Sequence, residues 1–319
     1  MTKLDRRTFI KTAAVGTAGI AWAGSYETAT AAEPKRRFTM DLTPGMIGVR
    51  ADQSEAIRLA HQYGFESVAP SAGFLAKLSD DELQELLADL TAKNLVWGAA
   101  GLSVDFRGDD ERFKASMQQF PATAKGLERA GVTRVCTWLS PSSRSLTYMQ
   151  NFRQHATRLR EVAKVMADHG LRLGLEYVGP KTSWTATQHP FIHTMAETKD
   201  LIAEIDRDNV GFLLDAWHWH NAREGEAELL SLSNQDVVGC HLNDAPADVP
   251  IDELIDSRRG LPMSTGVIDA KTFLGALVKI GYDGPVCAEP FDKTLNAMDN
   301  EPAMAATAAA MKKAIALVD

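Results

Sequence analysis

Sulfur for cross-linking is scarce: the 319-residue chain has three cysteines, Cys136, Cys240 and Cys287, each inside an apolar run. An odd count at such positions excludes a disulfide framework and reads as small buried hydrophobes. Positive charge is also short, with 34 Lys and Arg against 42 Asp and Glu and a net charge of −8. With no basic stripe to release counterions, nucleic acid and anionic membrane surfaces are excluded as partners. After the N-terminus no apolar run reaches the roughly 20 residues that cross a bilayer. A phosphate-cradling loop is missing too, because Gly45-Met-Ile-Gly48 lacks the spacing of a dinucleotide fingerprint. No low-complexity tract breaks the chain.

What is present begins with an address. Asp5-Arg6-Arg7-Thr8-Phe9-Ile10-Lys11 precedes a weakly apolar run rich in Ala and Gly, with small-residue cleavage sites after Ala23 and after Ala31. A charged segment, a short apolar segment and an A-x-A site describe an export signal rather than a membrane span. The paired arginines resemble the twin-arginine signal, which carries folded proteins across the bacterial inner membrane. That resemblance makes residues 1–31 a removable signal peptide and the twin-arginine export machinery a partner. It implies a periplasmic or otherwise extracytoplasmic location, with no stable membrane association after cleavage.

From residue 38 the chain alternates strand-like and helix-like segments about eight times. Apolar runs lie at 38–42, 67–70, 96–102, 134–139, 172–177, 210–217, 237–243 and 285–289. Runs of this kind, separated by amphipathic segments, read as parallel strands buried on both faces. Gly64, Gly131, Gly170 and Gly281 each follow a helical segment, where a C-cap belongs. Eight such units predict a single-domain α/β fold over residues 32–319, a (β/α)8 TIM barrel, with a doubly wound open sheet as the alternative. The stretch 244–266 after the seventh run is long for a connection and is the candidate active-site loop.

Four successive runs end on a carboxylate or an imidazole: Glu176, Asp215, His241 and Glu289. Consecutive barrel strands are spatial neighbours, so these side chains form an arc on the C-terminal rim. Three carboxylates that close repel one another, and a divalent cation relieves the repulsion. Oxygen-rich ligation with one imidazole suits Mn²⁺ best, with Mg²⁺, Co²⁺ or Zn²⁺ as alternatives. Trp138, Tyr177, Trp184, Trp217 and Trp219 lie close by in sequence, and sugar C–H faces stack on such rings. Trp184 and Trp217 are taken as substrate-binding candidates. Asn243 and Asp244 are candidates to hold the second nitrogen of His241.

The runs Leu-Glu-Tyr-Val-Gly-Pro-Lys, Leu-Leu-Asp-Ala-Trp-His, His-Leu-Asn-Asp and Gly-Tyr-Asp-Gly-Pro-Val-Cys-Ala-Glu-Pro-Phe resemble the xylose-isomerase-like TIM-barrel superfamily. They are most similar to its sugar phosphate isomerase/epimerase branch. The resemblance implies Glu176, Asp215, His241 and Glu289 as metal ligands, with Glu176 and Glu289 also the catalytic acid/base pair. It implies substrate contacts from His218 and from an arginine of the strand-seven loop, Arg259 or Arg258. The branch's Pro-Gly-Glu-Gly turn is replaced by Pro262-Met-Ser-Thr-Gly266, and Thr182 stands near the place of a further substrate-binding Glu.

The implied activity is a metal-dependent isomerisation or epimerisation through a cis-enediolate. The substrate is a small carbohydrate: outside the cytoplasm phosphorylated metabolites are scarce, which favours a non-phosphorylated ketose, keto-sugar or glycoside. Loss of a β-substituent from the same intermediate would make the protein a dehydratase or lyase on a 3-keto sugar or inosose. A non-catalytic exported sugar-binding barrel is the remaining alternative, because a fold does not fix a function. Phosphoester hydrolysis would need more histidines and a basic face. A second copy of the chain, in a homo-oligomer, is a further candidate partner.

Overall fold

The computed structural model describes residues 35–319, so the expected signal peptide at residues 1–31 lies outside the described residues. Its strands are β1 Thr39–Leu42, β2 Ser67–Val68, a β3 broken into Val96–Trp97 and Ala100–Gly101, and β4 Arg134–Trp138. They continue with β5 Arg172–Glu176, β6 Val210–Asp215, β7 Val237–Leu242 and β8 Pro285–Ala288. All pair in parallel, and β8 pairs back onto β1. The two pieces of β3 pair on opposite sides, Val96–Trp97 with β2 and Ala100–Gly101 with β4, so the sheet closes on itself. The fold is the expected TIM barrel, not the open sheet.

At the break in β3 only glycine fits. Gly98 lies against the carboxylate of Asp41, where a Cβ would sit 2.1 Å from Asp41 Oδ1. Inward-facing residues of alternate strands share a layer in such barrels, and here one of them is a buried acid. Every residue of β6 and β7 is buried, which accounts for their nearly continuous apolar sequence.

The outer ring comprises α1 Gln53–Tyr63, α2 Asp80–Ala92, α3 Asp110–Arg129, α4 Tyr148–Asp168 and α5 Met195–Ile205. It continues with α6 Ala216–Asn221, α7 Glu226–Leu230, α8 Ala270–Lys279 and α9 Asn300–Ile315. The helices are capped at both ends: Asp52 accepts from the Glu55 N–H, and Ser79 with Glu82 forms a capping box on α2. Gly64, Gly131, Gly170 and Gly281 all have positive φ, as a left-handed helix exit requires. The sixth strand is shorter than expected. Residues 216 and 217 belong to α6, because Asp215 turns its side chain back to accept from the Trp217 N–H at 2.8 Å. No helix among the described residues is long and apolar enough to cross a membrane.

Candidate active site

Strand register brings the acidic and imidazole side chains together. Asp215 and His241 are direct Cα partners across β6 and β7, and His241 is paired in turn with Cys287 on β8, two residues before Glu289. Glu176 closes β5, opposite Trp138 of β4. Ligand atoms from Glu176, Asp215, His241 and Glu289 all lie within 4.8 Å of one another, and all four residues are buried. His241 Nδ1 stands 3.2 Å from Glu176 Oε1, 3.3 Å from Glu289 Oε2 and 4.0 Å from Asp215 Oδ2.

Each of these groups is held differently. Asp215 Oδ1 accepts from the Trp217 N–H and from Asn243 Nδ2, both at 2.8 Å, which turns Oδ2 toward the cluster. Arg259 Nη1 donates to Asp215 Oδ2 at 2.6 Å and to Glu289 Oε2 at 2.8 Å. Glu176 Oε1 and His241 Nδ1, in contrast, are buried without a hydrogen-bond partner. Buried polar atoms left unpaired cost on the order of 1–3 kcal/mol each. Two of them, 3.2 Å apart beside two further carboxylates, are the kind of donor set a divalent cation would satisfy. These four residues could therefore hold a metal ion.

Charge in the cluster is unevenly distributed. Burial pushes the Glu176 carboxyl up to about 8, with the neighbouring Glu289 and Asp215 charges adding to the rise. Burial acts on Asp215 in the same sense, but Arg259, His218 and His241 outweigh it and hold the carboxyl below its usual range. His218 sits three residues after Asp215 on α6. Its Nδ1 accepts from the Gly179 N–H at 3.2 Å, so the neutral ring carries its proton on Nε2. That nitrogen is 3.7 Å from Asp215 Oδ2 and 4.0 Å from Glu176 Oε2, and burial lowers its affinity for a second proton.

Of the two loop arginines, Arg259 enters the site and Arg258 stays exposed on the outside. Asp256 holds the Arg259 guanidinium from behind, accepting from Nη2 at 2.8 Å. Trp217 does not offer a face to a sugar. It is fully buried, with the Arg259 guanidinium carbon 5.3 Å from its ring centroid, and it lines neither cavity. Trp184 also lines neither, stacking instead on His193 with ring centroids 4.6 Å apart. Both tryptophans were read from their nearness in sequence to the strand ends, which does not fix where a ring points.

The other second-layer expectations change as well. Asn243 orients Asp215 rather than His241. Asp244 accepts from the backbone N–H groups of Ala245, Thr265, Gly266 and Ile268, tying down the turn that replaces the branch's usual one. Thr182 donates to the Leu254 carbonyl at 2.6 Å, joining the β5 and β7 loops.

The cluster lies where two cavities meet. An inner one of about 300 Å³ reaches into the barrel mouth past Asp41, Cys136 and Cys287. An outer one of about 550 Å³ opens between His218, Asp256, Arg259 and Phe291. Glu176, Glu289 and Trp138 line both. The sequence reading missed Asp41, Asp256 and Phe291. Asp41 shares the strand-end signal of the four cluster residues, and its register partner Cys287 is also that of His241. Asp256 is marked only by its i, i+3 spacing to Arg259, and Phe291 by following Glu289-Pro290.

A closed barrel with a buried carboxylate–histidine cluster at the C-terminal ends of its strands defines the class to which this molecule belongs. Within that class, the chain belongs to the xylose isomerase-like TIM barrel family, whose model matches residues 57–314. It is 24% identical over 234 residues to an inosose isomerase of Bacillus velezensis, covering 72% of this chain and 80% of that one. It is 29% identical over 138 residues to a ketose 3-epimerase of Arthrobacter globiformis, covering 43% of this chain and 41% of that one. A xylose isomerase domain protein of Alicyclobacillus acidocaldarius superimposes with TM-score 0.77 at 29% identity, over 88% of this chain and 99% of the other. The IOLI protein, solved with a binding zinc atom, shares the fold with TM-score 0.71 at 20% identity, over 88% and 98% of the two chains.

Proposed function

We propose that this protein is a metal-dependent isomerase or epimerase of a non-phosphorylated ketose, keto-sugar or glycoside. The observation that carries the proposal is the placement of Glu176 and Glu289. Both are buried, both border the two cavities, and a carbon held between them can lose a proton to one and receive one from the other. The relatives named as an inosose isomerase and a ketose 3-epimerase support chemistry of this kind. A divalent ion held by Glu176, Asp215, His241 and Glu289 would supply Lewis-acid polarisation of the substrate carbonyl. A Mn²⁺ ion suits the three oxygens and one nitrogen, and the zinc in the IOLI protein makes Zn²⁺ the alternative.

The chain's own groups then divide the work. Glu289, ion-paired to Arg259 at 2.8 Å, is placed to take the proton. Glu176, the other buried carboxyl bordering both cavities, is placed to deliver one. Nε2–H of His218 and the Arg259 guanidinium reach substrate oxygens in the outer cavity. A neutral substrate is favoured because Arg259 and His218 are the basic residues bordering the outer cavity, and Arg259 is already paired with Asp215, Asp256 and Glu289. A phosphate dianion would find no unpaired cation there.

Exchange of the substrate's α-proton with deuterated solvent tests the proposal. Glu289→Gln is expected to slow it by about 10²–10⁴-fold, the contribution of one general base. Exchange at the wild-type rate in that variant would rule out the two-carboxylate mechanism.

A further inference from the structure

A third cavity, of about 540 Å³, adjoins the outer one: Ser140 and Ser142 line both. It lies between the start of α3 and the start of α4, beyond the barrel mouth. Its wall carries two groups whose hydrogen-bonding capacity the protein leaves unused. His155, 2% exposed, donates from Nδ1 to the Asn151 carbonyl at 2.9 Å, and its Nε2 acceptor is buried with no partner. Burial pushes this imidazole down to about 4, so Nε2 stays an acceptor at neutral pH. Arg107 uses Nε and Nη2 on the Trp138 carbonyl and the Thr137 hydroxyl, leaving Nη1 without a bond among the described residues.

The formal charge of the cavity cancels. Arg107 and Arg158 face Asp109 and Asp110, and Arg158 is itself held by Asp110 at 2.5 Å and by the Phe106 and Gly108 carbonyls. A balanced lining of hydroxyls and two amides, with a spare donor at Arg107 Nη1, suits a neutral polyol and not an anion. Trp138, 48% exposed, lines the outer cavity, and Arg107 of the third lies with its guanidinium 4.2 Å from the Trp138 ring centroid. Such a flat wall is what a sugar ring stacks against.

We propose that this serine-lined cavity is a second saccharide subsite. It holds the distal, neutral, hydroxyl-rich ring of a two-unit substrate whose proximal ring lies between Glu176 and Glu289. The assignment deepens the isomerase/epimerase reading and rests on it. Each cavity falls within the roughly 300–1,000 Å³ typical of small-molecule sites, and two in series exceed what a single ring requires.

The test is calorimetric binding of glucose, maltose, cellobiose and trehalose to the full chain, alongside α-proton exchange on a free ketose. At least one disaccharide is expected to bind tenfold or more tightly than glucose. Ser145→Trp, which fills the cavity from its exposed rim, should reduce that advantage to within twofold. Gln154→Ala, a gentler change in the same wall, should reduce it in part. Ketose exchange should be unchanged in both variants. Equal affinity for all four sugars, or an advantage that survives both substitutions, overturns the subsite even if exchange is intact. Exchange absent while the disaccharide advantage responds to Ser145→Trp sinks the isomerase reading and leaves the subsite standing as a binding site.

Discussion

The two halves of the barrel mouth are built to different ends. β5 to β8 deliver Glu176, Asp215, His241 and Glu289, with Asn243, Arg259 and Asp256 behind them. β1 to β4 deliver mostly shape: Met46, Ala69, Pro70, Ala99 to Gly101 and Cys136 form the wall of the inner cavity. Asp41 is the acid set into that wall, with Oδ1 buried and unpartnered. One half holds acidic and imidazole groups by mutual hydrogen bonds and ion pairs, and the other lines an open cavity. Charge in the first half is paired or positioned, while the single buried charge in the second is nearly unsupported. That difference predicts opposite responses to mutation.

The largest effect belongs to the reactive half. Asp215→Ala removes an oxygen aimed at the cluster and leaves Arg259 and Asn243 facing a void. Affinity for Mn²⁺ or Zn²⁺ is expected to fall more than 100-fold, measured by competition with a chromogenic chelator, and turnover more than 10³-fold. Affinity within threefold of wild type would mean that the four residues do not share an ion. Metal affinity should also climb with pH, because ligands must shed protons and Glu176 is held up to about 8 by burial. Proton release on metal binding, read from calorimetry in buffers of different ionisation enthalpy, should diminish once pH passes that value.

Next in size is the contrast between two adjacent arginines. Arg259 is buried against Trp217 and Phe291 and bridges Asp215, Glu289 and Asp256, whereas Arg258 is exposed. Arg259→Met leaves three carboxylates without their counter-charge, and kcat/KM is expected to fall about 100-fold. That corresponds to about 2.7 kcal/mol, within the range for truncating one partner of a buried charge pair. Arg258→Met should stay within twofold. Similar losses in both variants would show that the loop, and not the Arg259 contacts, sets the rate.

The same contrast explains what could be read from the sequence. Strand ends carrying Glu or His announce themselves, because a ligand-type residue closing an apolar run is conspicuous whatever the fold. Repetition at four successive runs fixed the rim arc and, with the helix caps at Gly64, Gly131, Gly170 and Gly281, the barrel. Which of Arg258 and Arg259 turns inward was not legible, since it depends on a turn tied by Asp244 to Thr265 and Gly266, some 20 residues away in sequence. Trp217 misled because α6 begins at Ala216, inside the run read as strand to residue 217, and the ring is buried in the core. The serine-lined cavity gave no signal. Its walls come from the β4 loop and the starts of two helices that no local pattern links.

The smallest predicted effect, and the one that separates the halves most directly, concerns Asp41. Burial raises its carboxyl from 3.8 to about 6, only partly offset by hydrogen bonds from Ser67 and Thr43. A raised folded-state value means that the native state binds this proton more tightly than the unfolded chain. Its contribution to stability is therefore present below about pH 4 and lost as pH rises through 6. At about 1.36 kcal/mol per pH unit, the ionised carboxylate costs about 3 kcal/mol at pH 7. Asp41→Asn should recover most of that, so urea unfolding of the metal-free protein at pH 7 is expected to show a gain of about 2–3 kcal/mol. The gain should shrink toward zero at pH 4, where both chains are neutral at this position. No gain at pH 7, or a gain independent of pH, would mean that water or Thr43 already supports the charge. A stabilised variant that also loses turnover would identify Asp41 as an acid retained for the substrate at the expense of the fold, the reverse of Asp215, whose neighbours support its charge.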